Sequence, residues 1–199
     1  MIIETFLNDG TPVCIRPVRD TDEQRLKAGI SQLAKRSRYL RFFSGMHVPP
    51  RTVIDKLLDV DGYNHIAWGA LASSIPSEPA LGVVHAFRDE NDPLIAEFSV
   101  AVIDAYHGRG LARLMTAVLL LDCQDEGLKE FAVNILAENK AALALTRSLG
   151  GTVTNQDREV IEFDIEIANA IEALKVDSDV PGLQTVFEQF ATKEATRFG

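Results

Sequence analysis

The stretch VIDAYHGRGLARLMTAVLLL, residues 102–121, decides the fold that we expect for this chain. Its apolar beginning is typical of the end of a strand, and its apolar second half is typical of a long buried helix. Between the two, Gly108 and Gly110 leave the backbone amides at the helix start uncovered, while Arg109 and Arg113 add positive charge. Free amides at a helix start, together with the helix dipole, form an anion site. The stretch therefore predicts a phosphate-binding loop, with a simple strand-to-helix turn as the alternative.

The composition is that of a globular protein with a single core. The chain has 199 residues, of which 46% are hydrophobic and 25% charged. Its net charge of -9 argues against a nucleic-acid partner and suits a cationic partner, or solubility alone. The two cysteines, Cys14 and Cys123, form no metal-spaced pair, and no apolar run approaches the ~20 residues of a membrane span. We expect a cytoplasmic protein with no membrane partner.

The pattern of apolar residues predicts seven strands and five helices along the chain. The strands are expected at 13–19, 65–73, 80–87, 94–103, 131–136, 151–155 and 158–167, and the helices at 20–37, 49–60, 111–126, 139–149 and 183–192. Three strands in succession favour a meander, whereas the later strand–helix–strand connections favour parallel pairing. We therefore expect an α/β fold (α+β in some classifications) with a mixed, mostly antiparallel sheet of about six to seven strands and helices on both faces.

The loop in this setting resembles the pyrophosphate loop of the GNAT superfamily, the acetyl-CoA-dependent N-acetyltransferases. That loop reads Gln/Arg-x-x-Gly-x-Gly/Ala between a strand and a helix. The stretch from His107 matches it at Gly110 and Ala112, with His107 in place of the usual Gln or Arg. Because the loop acts through backbone amides, the change at its first position leaves the resemblance intact.

A second signature lies one helix and one strand further along. In the superfamily, Asn-x-x-Ala is followed by a helix that ends in Leu-Gly-Phe. Here Asn139, Ala142, Leu149 and Gly150 match, and Gly151 stands where Phe is usual. The two signatures and their spacing together identify the chain as similar to the GNAT superfamily.

The N-terminal half resembles the GNAT domains of bacterial protein lysine acetyltransferases, including a segment that reads SRYLRFF at 37–43. The resemblance covers roughly 15–167, and it implies a GNAT domain at 1–174 followed by a C-terminal tail at 175–199 with a short helix packed on the domain. It implies acetyl-CoA as cosubstrate and an amine acceptor, either a protein lysine or a small molecule. We expect a monomer or homodimer. The four histidines are dispersed without ligand spacing, so no metal is expected.

The resemblance also assigns the residues of the cofactor site. Val100 and Val102 are expected to hold the pantetheine arm and the thioester carbonyl through backbone groups. The full set of expected cofactor-binding residues is Val100, Val102, His107, Gly108, Arg109, Gly110, Leu111, Ala112, Arg113, Asn139 and Ala142.

The candidate catalytic residue is Glu97, the one charge in the apolar stretch LIAEFSVAVI. A lysine-like amine is protonated at neutral pH and needs a proton acceptor before it can attack a thioester. Burial within an apolar strand would make the Glu97 carboxylate a stronger base. Related lysine acetyltransferases place a catalytic glutamate at the matching position. The alternative is an exposed glutamate or one paired with Arg88.

A general acid is harder to assign. Many GNAT enzymes carry a tyrosine in the second-signature helix that protonates the departing thiolate, and Thr146 occupies the matching position here. A thiol with a pKa of ~8.5 leaves readily without help, so the tyrosine is dispensable. Its absence leaves open a second possibility, an acetyl-CoA-binding regulatory module without turnover.

Overall fold

The computed structural model describes residues 1–42, 49–72 and 80–197. Its strands are β1 (Ile3–Phe6), β2 (Pro12–Pro17), β3 (His65–Ala72), β4 (Gly82–Arg88), β5 (Ile95–Val102), β6 (Glu130–Leu136), β7 (Thr152–Gln156) and β8 (Val160–Glu166). Its helices are α1 (Glu23–Gln32), α2 (Lys35–Phe42), α3 (Arg51–Leu58), α4 (Leu111–Asp125), α5 (Lys140–Ser148), α6 (Ile167–Lys175) and α7 (Gly182–Arg197). Short 3-10 turns lie at Asp20–Asp22 and Asp104–Tyr106. Phe43, the last residue of the SRYLRFF segment, and Ser73, the predicted end of β3, lie outside the described residues.

The strands form one sheet in the order β1-β2-β3-β4-β5-β6-β8-β7. Neighbouring strands are antiparallel except β5 and β6, which are parallel. The expected mixed, mostly antiparallel sheet is confirmed, but the count of six to seven strands was wrong because the described sheet has eight. The strand that sequence reasoning missed is β1, whose alternation of buried and exposed residues lasts only four positions.

Helices cover both faces of the sheet, as expected. On β4, Val84 and Ala86 point into the main core, which includes α4, whereas Val83 and Phe87 point to the opposite face and pack with α1 and α3. Helix α4 is buried nearly all round, which explains why its sequence is apolar without a clear polar face.

The C-terminal region contains two helices where sequence reasoning expected one. Helix α7 begins one residue before the expected helix and extends beyond it, whereas α6 was not predicted. The apolar spacing of Ile167, Ile171 and Leu174 in α6 is helical and would have revealed it. Helix α7 lies beside β1, where Thr5 Oγ1 donates to the carbonyl of Gly182 at 2.9 Å.

A buried ion pair joins the start of α1 to the sheet. Arg16 on β2 donates two hydrogen bonds to the carboxylate of Asp22, each 2.7 Å long, and both residues are buried. The backbone amide of Arg19 donates to the same carboxylate at 3.0 Å. Burial raises the pKa of Asp22, but these hydrogen bonds outweigh it and the pKa is lowered overall. The pair therefore fixes the start of α1 against the sheet.

We expect Asp22→Asn to lower the free energy of unfolding by about 3 kcal/mol, because it leaves the Arg16 guanidinium buried without its counter-charge. The pKa of Asp22 is lower in the folded than in the unfolded protein. The stabilisation of the fold by the ionised Asp22 is therefore complete above about pH 4 and is lost as the pH falls through the folded-state pKa. Urea denaturation at pH 7 and pH 3 measures both effects. Asp20→Asn, at an exposed neighbouring position, is the control; equal midpoints for the two variants would contradict the assignment.

Candidate active site

The candidate site is a split in the sheet between β5 and β6. The two strands are in register at three positions only, Ile95 with Glu130, Ala96 with Phe131 and Glu97 with Ala132. Beyond Glu97 they separate, and a cleft of about 470 Å³ opens between β5, the start of α4 and the start of α5. This volume lies within the range of small-molecule sites.

Most of the residues expected at the cofactor site line this cleft. They are Val100, Val102, His107, Gly108, Gly110, Leu111, Ala112, Arg113, Asn139 and Ala142. Arg109 and Glu97 do not line it.

The open edge of β5 presents backbone groups to the cleft. The amide of Ile103 donates to the carbonyl of Leu81 on the β4 side at 2.9 Å. Since backbone groups alternate in direction along a strand, the amides and carbonyls of Val100 and Val102 point away from β4, toward the split. The carbonyl of Val102 accepts a hydrogen bond there from Nε2 of His107 at 2.8 Å. His107 thereby holds the glycine loop against the end of β5.

The start of α4 forms one end of the cleft. Gly110 is the residue that precedes the helix, and no side chain caps the amides of the first turn. Gly110 has a φ of +86°, and a Cβ there would lie 2.7 Å from Oδ1 of Asn8 and 2.9 Å from Cγ1 of Val180. Only glycine fits this position, and the amides that follow it are available to an anion.

The two arginines of the loop are already paired with carboxylates. Arg109 lies 3.0 Å from Asp9 and stacks over the ring of Tyr106, with 5.0 Å between the guanidinium carbon and the ring centroid. Arg113 lies 3.3 Å from Asp177. Positive charge at this end of the cleft is therefore partly neutralised, and the uncapped backbone amides are the groups there that remain available to an anion.

The start of α5 forms the opposite wall. Oδ1 of Asn139 accepts a hydrogen bond from the amide of Ala142 at 3.1 Å and so caps the helix. Ala142 and Leu145 present apolar surface to the cleft. Thr146, at the position of the usual tyrosine, is 1% exposed and does not line the cleft, so it is not placed to protonate a leaving group.

Glu97 lies at the vertex of the split, at the last position where β5 and β6 pair. Glu97 is exposed, so the expectation that it is buried within the strand was wrong, and the alternative of an exposed glutamate describes its environment. The reason is that its face of the sheet is not covered at this point by a described helix. Within the described residues Glu97 has no ion pair; Arg88 instead donates to the carbonyls of Tyr63 and Glu126.

Carboxylates continue from Glu97 across the same face of the sheet. The register aligns Glu97 with Ala132 and Ala132 with Asp164, and paired residues share a face. By the same alternation, Glu130, Glu162 and Glu166 belong to this face, and all are exposed or half-exposed. Burial, together with the like charges of Asp164, Asp92 and Glu166, raises the pKa of Glu130. We call Glu97, Glu130, Glu162, Asp164 and Glu166 the acidic face.

Several cleft residues were not found by sequence reasoning. Leu33, Ser37 and Leu40 come from the end of α1 and from α2, and Asn8 and Val180 from the two ends of the chain. Ser37 and Leu40 belong to the SRYLRFF segment, but the resemblance gave that segment no role in the cleft. Each of the five residues reaches the cleft through the packing of distant segments. The basic sequence of α2 is typical of an exposed helix and gives no sign of a binding role.

No described helix combines the length and apolar character needed to cross a membrane. Within residues 1–42, 49–72 and 80–197, no group of three or more histidine, cysteine, aspartate or glutamate side chains is arranged to hold a metal ion.

Comparison with known proteins places the chain in a family. The model of the acetyltransferase (GNAT) domain family matches residues 13–152. Acetyltransferase Pat of Mycolicibacterium smegmatis is 27% identical over 157 residues, which cover 77% of this chain and 45% of that protein. The chain thus spans less than half the length of this relative.

Two solved structures share the fold. The GNAT domain of S. lividans PAT has a TM-score of 0.76 at 21% identity, covering 83% of this chain and 96% of that one. The structure of yncA from Salmonella typhimurium, solved with acetyl-CoA, has a TM-score of 0.60 at 16% identity, covering 78% of this chain and 94% of that one.

The chain belongs to the acetyltransferase (GNAT) domain family, a family of acyltransferases, and the resemblance that the two sequence signatures indicated is confirmed.

Proposed function

We propose that this protein transfers the acetyl group of acetyl-CoA to the primary amine of a protein lysine. One observation carries the proposal: the split between β5 and β6 leads from the uncapped start of α4 to Glu97 on the acidic face. A cosubstrate bound on one side of the sheet can therefore meet an acceptor on the other.

The cleft has the chemistry that acetyl-CoA requires. The amides of Leu111, Ala112 and Arg113 suit a diphosphate. The apolar side chains of Val100 and Leu145 suit the pantetheine arm, whose amides can pair with the open edge of β5. At ~3.3 Å per residue, β5 covers roughly 17 Å from Val102 to Glu97, a length similar to that of the extended arm.

Acetyl-CoA supplies an acetyl group activated as a thioester. Glu97, directly or through one water, accepts a proton from the acceptor ammonium, whose deprotonation at pH 7 costs about 4.6 kcal/mol for a pKa of ~10.4. The freed nitrogen attacks the thioester carbon, so that a C–N bond forms, the C–S bond breaks and CoA leaves as the thiolate. The second proton of the attacking nitrogen passes to this thiolate or to solvent as the amide forms. The backbone amides of Val100 and Val102 are the candidate donors to the developing oxyanion, and such a donor contributes ~3 kcal/mol.

The acidic face supports a lysine within a protein as the acceptor. An enzyme that acts on a small molecule usually encloses its substrate in a pocket. The carboxylates around Glu97 instead lie on a sheet face that is exposed or half-exposed. A row of carboxylates beside the proton acceptor attracts a lysine flanked by other basic residues. Docking of such a segment would also cover Glu97 and so strengthen it as a base.

We expect Gly110→Ala to weaken acetyl-CoA binding by roughly 10- to 100-fold, because the added Cβ displaces the loop and one or more charge-assisted amide hydrogen bonds are lost. Isothermal titration calorimetry measures the change. Gly127→Ala is the matched control, since Gly127 has a similar φ of +81° but open space around it and lies outside the cleft. Equal losses of affinity in the two variants would mean that backbone strain alone explains the effect.

We expect Glu97→Gln to lower kcat by about 10²- to 10⁴-fold while leaving acetyl-CoA affinity unchanged, because the residue accepts a proton but does not line the cleft. CoA release with lysine peptides as acceptors measures kcat, and Glu159→Gln, in the exposed β7–β8 turn, is the control. Full activity in Glu97→Gln rules out this base. A wild-type protein that binds acetyl-CoA but acetylates no peptide or small amine is a binding module instead.

We expect the double variant Glu162→Gln/Asp164→Asn to raise KM for a lysine peptide with basic neighbours by about three- to tenfold, as exposed charge pairs are individually weak. The KM for a small amine without charged neighbours should not change. The difference in KM between the two substrates should shrink at high salt. Glu188→Gln, exposed on α7, serves as the control. If both substrates respond equally, or if small amines are preferred by the wild type, the acceptor is not a basic protein segment.

A further inference from the structure

Helix α2 spans the split in the sheet and contacts both of its sides. Leu33, Ser37 and Leu40, from the end of α1 and from α2, line the cleft opposite the walls formed by β5 and α5. Neither sequence signature includes this segment. Its position on the cleft therefore depends on contacts with other parts of the chain.

On the β5 side, a single carboxylate holds α2. Asp104, in the turn between β5 and the glycine loop, accepts a hydrogen bond from the amide of Ala34 at 2.7 Å through Oδ2 and from Oγ of Ser37 at 2.6 Å through Oδ1. Ala34 is the residue before α2, and its carbonyl accepts from the amide of Arg38. Asp104 thus provides from a distant segment the cap that a helix start usually receives from its own sequence.

On the α5 side, the contact is weaker. Arg36 lies 3.1 Å from Glu138, the residue before the cap of α5, but their side chains are 69% and 49% exposed. Exposed ion pairs contribute little to stability. Asp104 is half-buried, and its two hydrogen bonds, with the nearby His107, keep the pKa of this carboxyl below its usual range even though burial raises it. The Asp104 contact therefore dominates the attachment of α2.

The same turn leads directly into the cofactor loop. Three residues after Asp104, His107 donates to the carbonyl of Val102. Three residues further on, Gly110 directly precedes α4. A carboxylate that holds α2 and is rigidly joined to this loop connects two walls of the cleft.

We propose that Asp104 is a positioning residue that fixes α2 across the split between β5 and β6 and couples it to the cofactor loop. The proposal rests on the proposed function in that the ligand of the cleft is taken to be acetyl-CoA. Asp104 does not itself bind the ligand; it determines where Leu33, Ser37 and Leu40 stand when the ligand enters.

The test is a double-mutant cycle with acetyl-CoA as the probe. We expect Asp104→Ala to weaken binding roughly three- to thirtyfold, the range for loss of a helix cap, and to raise KM for acetyl-CoA more than it lowers kcat. Ser37→Ala should weaken binding less, and the double variant should bind no more weakly than Asp104→Ala, because both changes remove one interaction. Asp104→Asn, which keeps one acceptor oxygen, should lie between Asp104→Ala and the wild type.

Asp89→Ala is the matched control. Asp89 accepts two backbone hydrogen bonds, from Asn91 and Asp92, in the turn after β4, and it does not line the cleft. Its loss should lower the urea midpoint without changing acetyl-CoA affinity. Wild-type affinity in Asp104→Ala, or additive losses in the cycle, would overturn the proposal.

Hydrogen exchange of the free protein separates this proposal from the proposed function. The amides of α2 should exchange faster in Asp104→Ala than in the wild type, while those of α3 should not change. This result does not depend on any ligand. If the wild type fails to bind acetyl-CoA, the proposed function falls, and the exchange rates alone decide whether Asp104 fixes α2; unchanged exchange in α2 refutes it.

Discussion

The structure depends on the separation of two parallel strands. β5 and β6 pair over three positions and then diverge, which leaves the backbone edge of β5 from Val100 onward without a neighbouring strand. Buried backbone groups without partners are costly, so such an edge persists only where another group satisfies it. His107 satisfies the carbonyl of Val102, and the groups that remain face a cleft of the size that a small-molecule ligand occupies.

The helices that follow the two strands complete the cleft, and they do so by different means. Helix α4 follows Gly110, which has left-handed backbone geometry, and the first amides of the helix have no side-chain cap and lie at the cleft. Helix α5 begins at Asn139, whose side chain caps it, so that this wall is predominantly apolar. One end of the cleft therefore favours an anion and the other an uncharged chain, which matches a diphosphate joined to a pantetheine arm.

The two faces of the sheet differ at the split. Helices α1 and α3 pack beside β4, but at β6 and β8 the same face presents carboxylates. Glu97, at the vertex of the split, belongs to this face, and in the proposed reaction the acceptor approaches from here. Because Glu97 is exposed in the free protein, its proposed role depends on its being covered by the acceptor.

The sequence by itself determined the features that arise from neighbouring residues. The apolar strand, the glycines and the apolar helix of residues 102–121 predicted β5, the loop and α4 because backbone geometry and periodicity are local properties. Asn139 and Ala142 were assigned to the site through the resemblance to the GNAT superfamily, whose second signature is also a local pattern. The tertiary structure alone decided the rest. Asp104 and Ser37 are 67 residues apart, and Arg109 and Asp9 are 100 residues apart, so no local pattern could show that they meet. The exposure of Glu97 was equally hidden, since an apolar strand has the same sequence whether or not a helix covers its face.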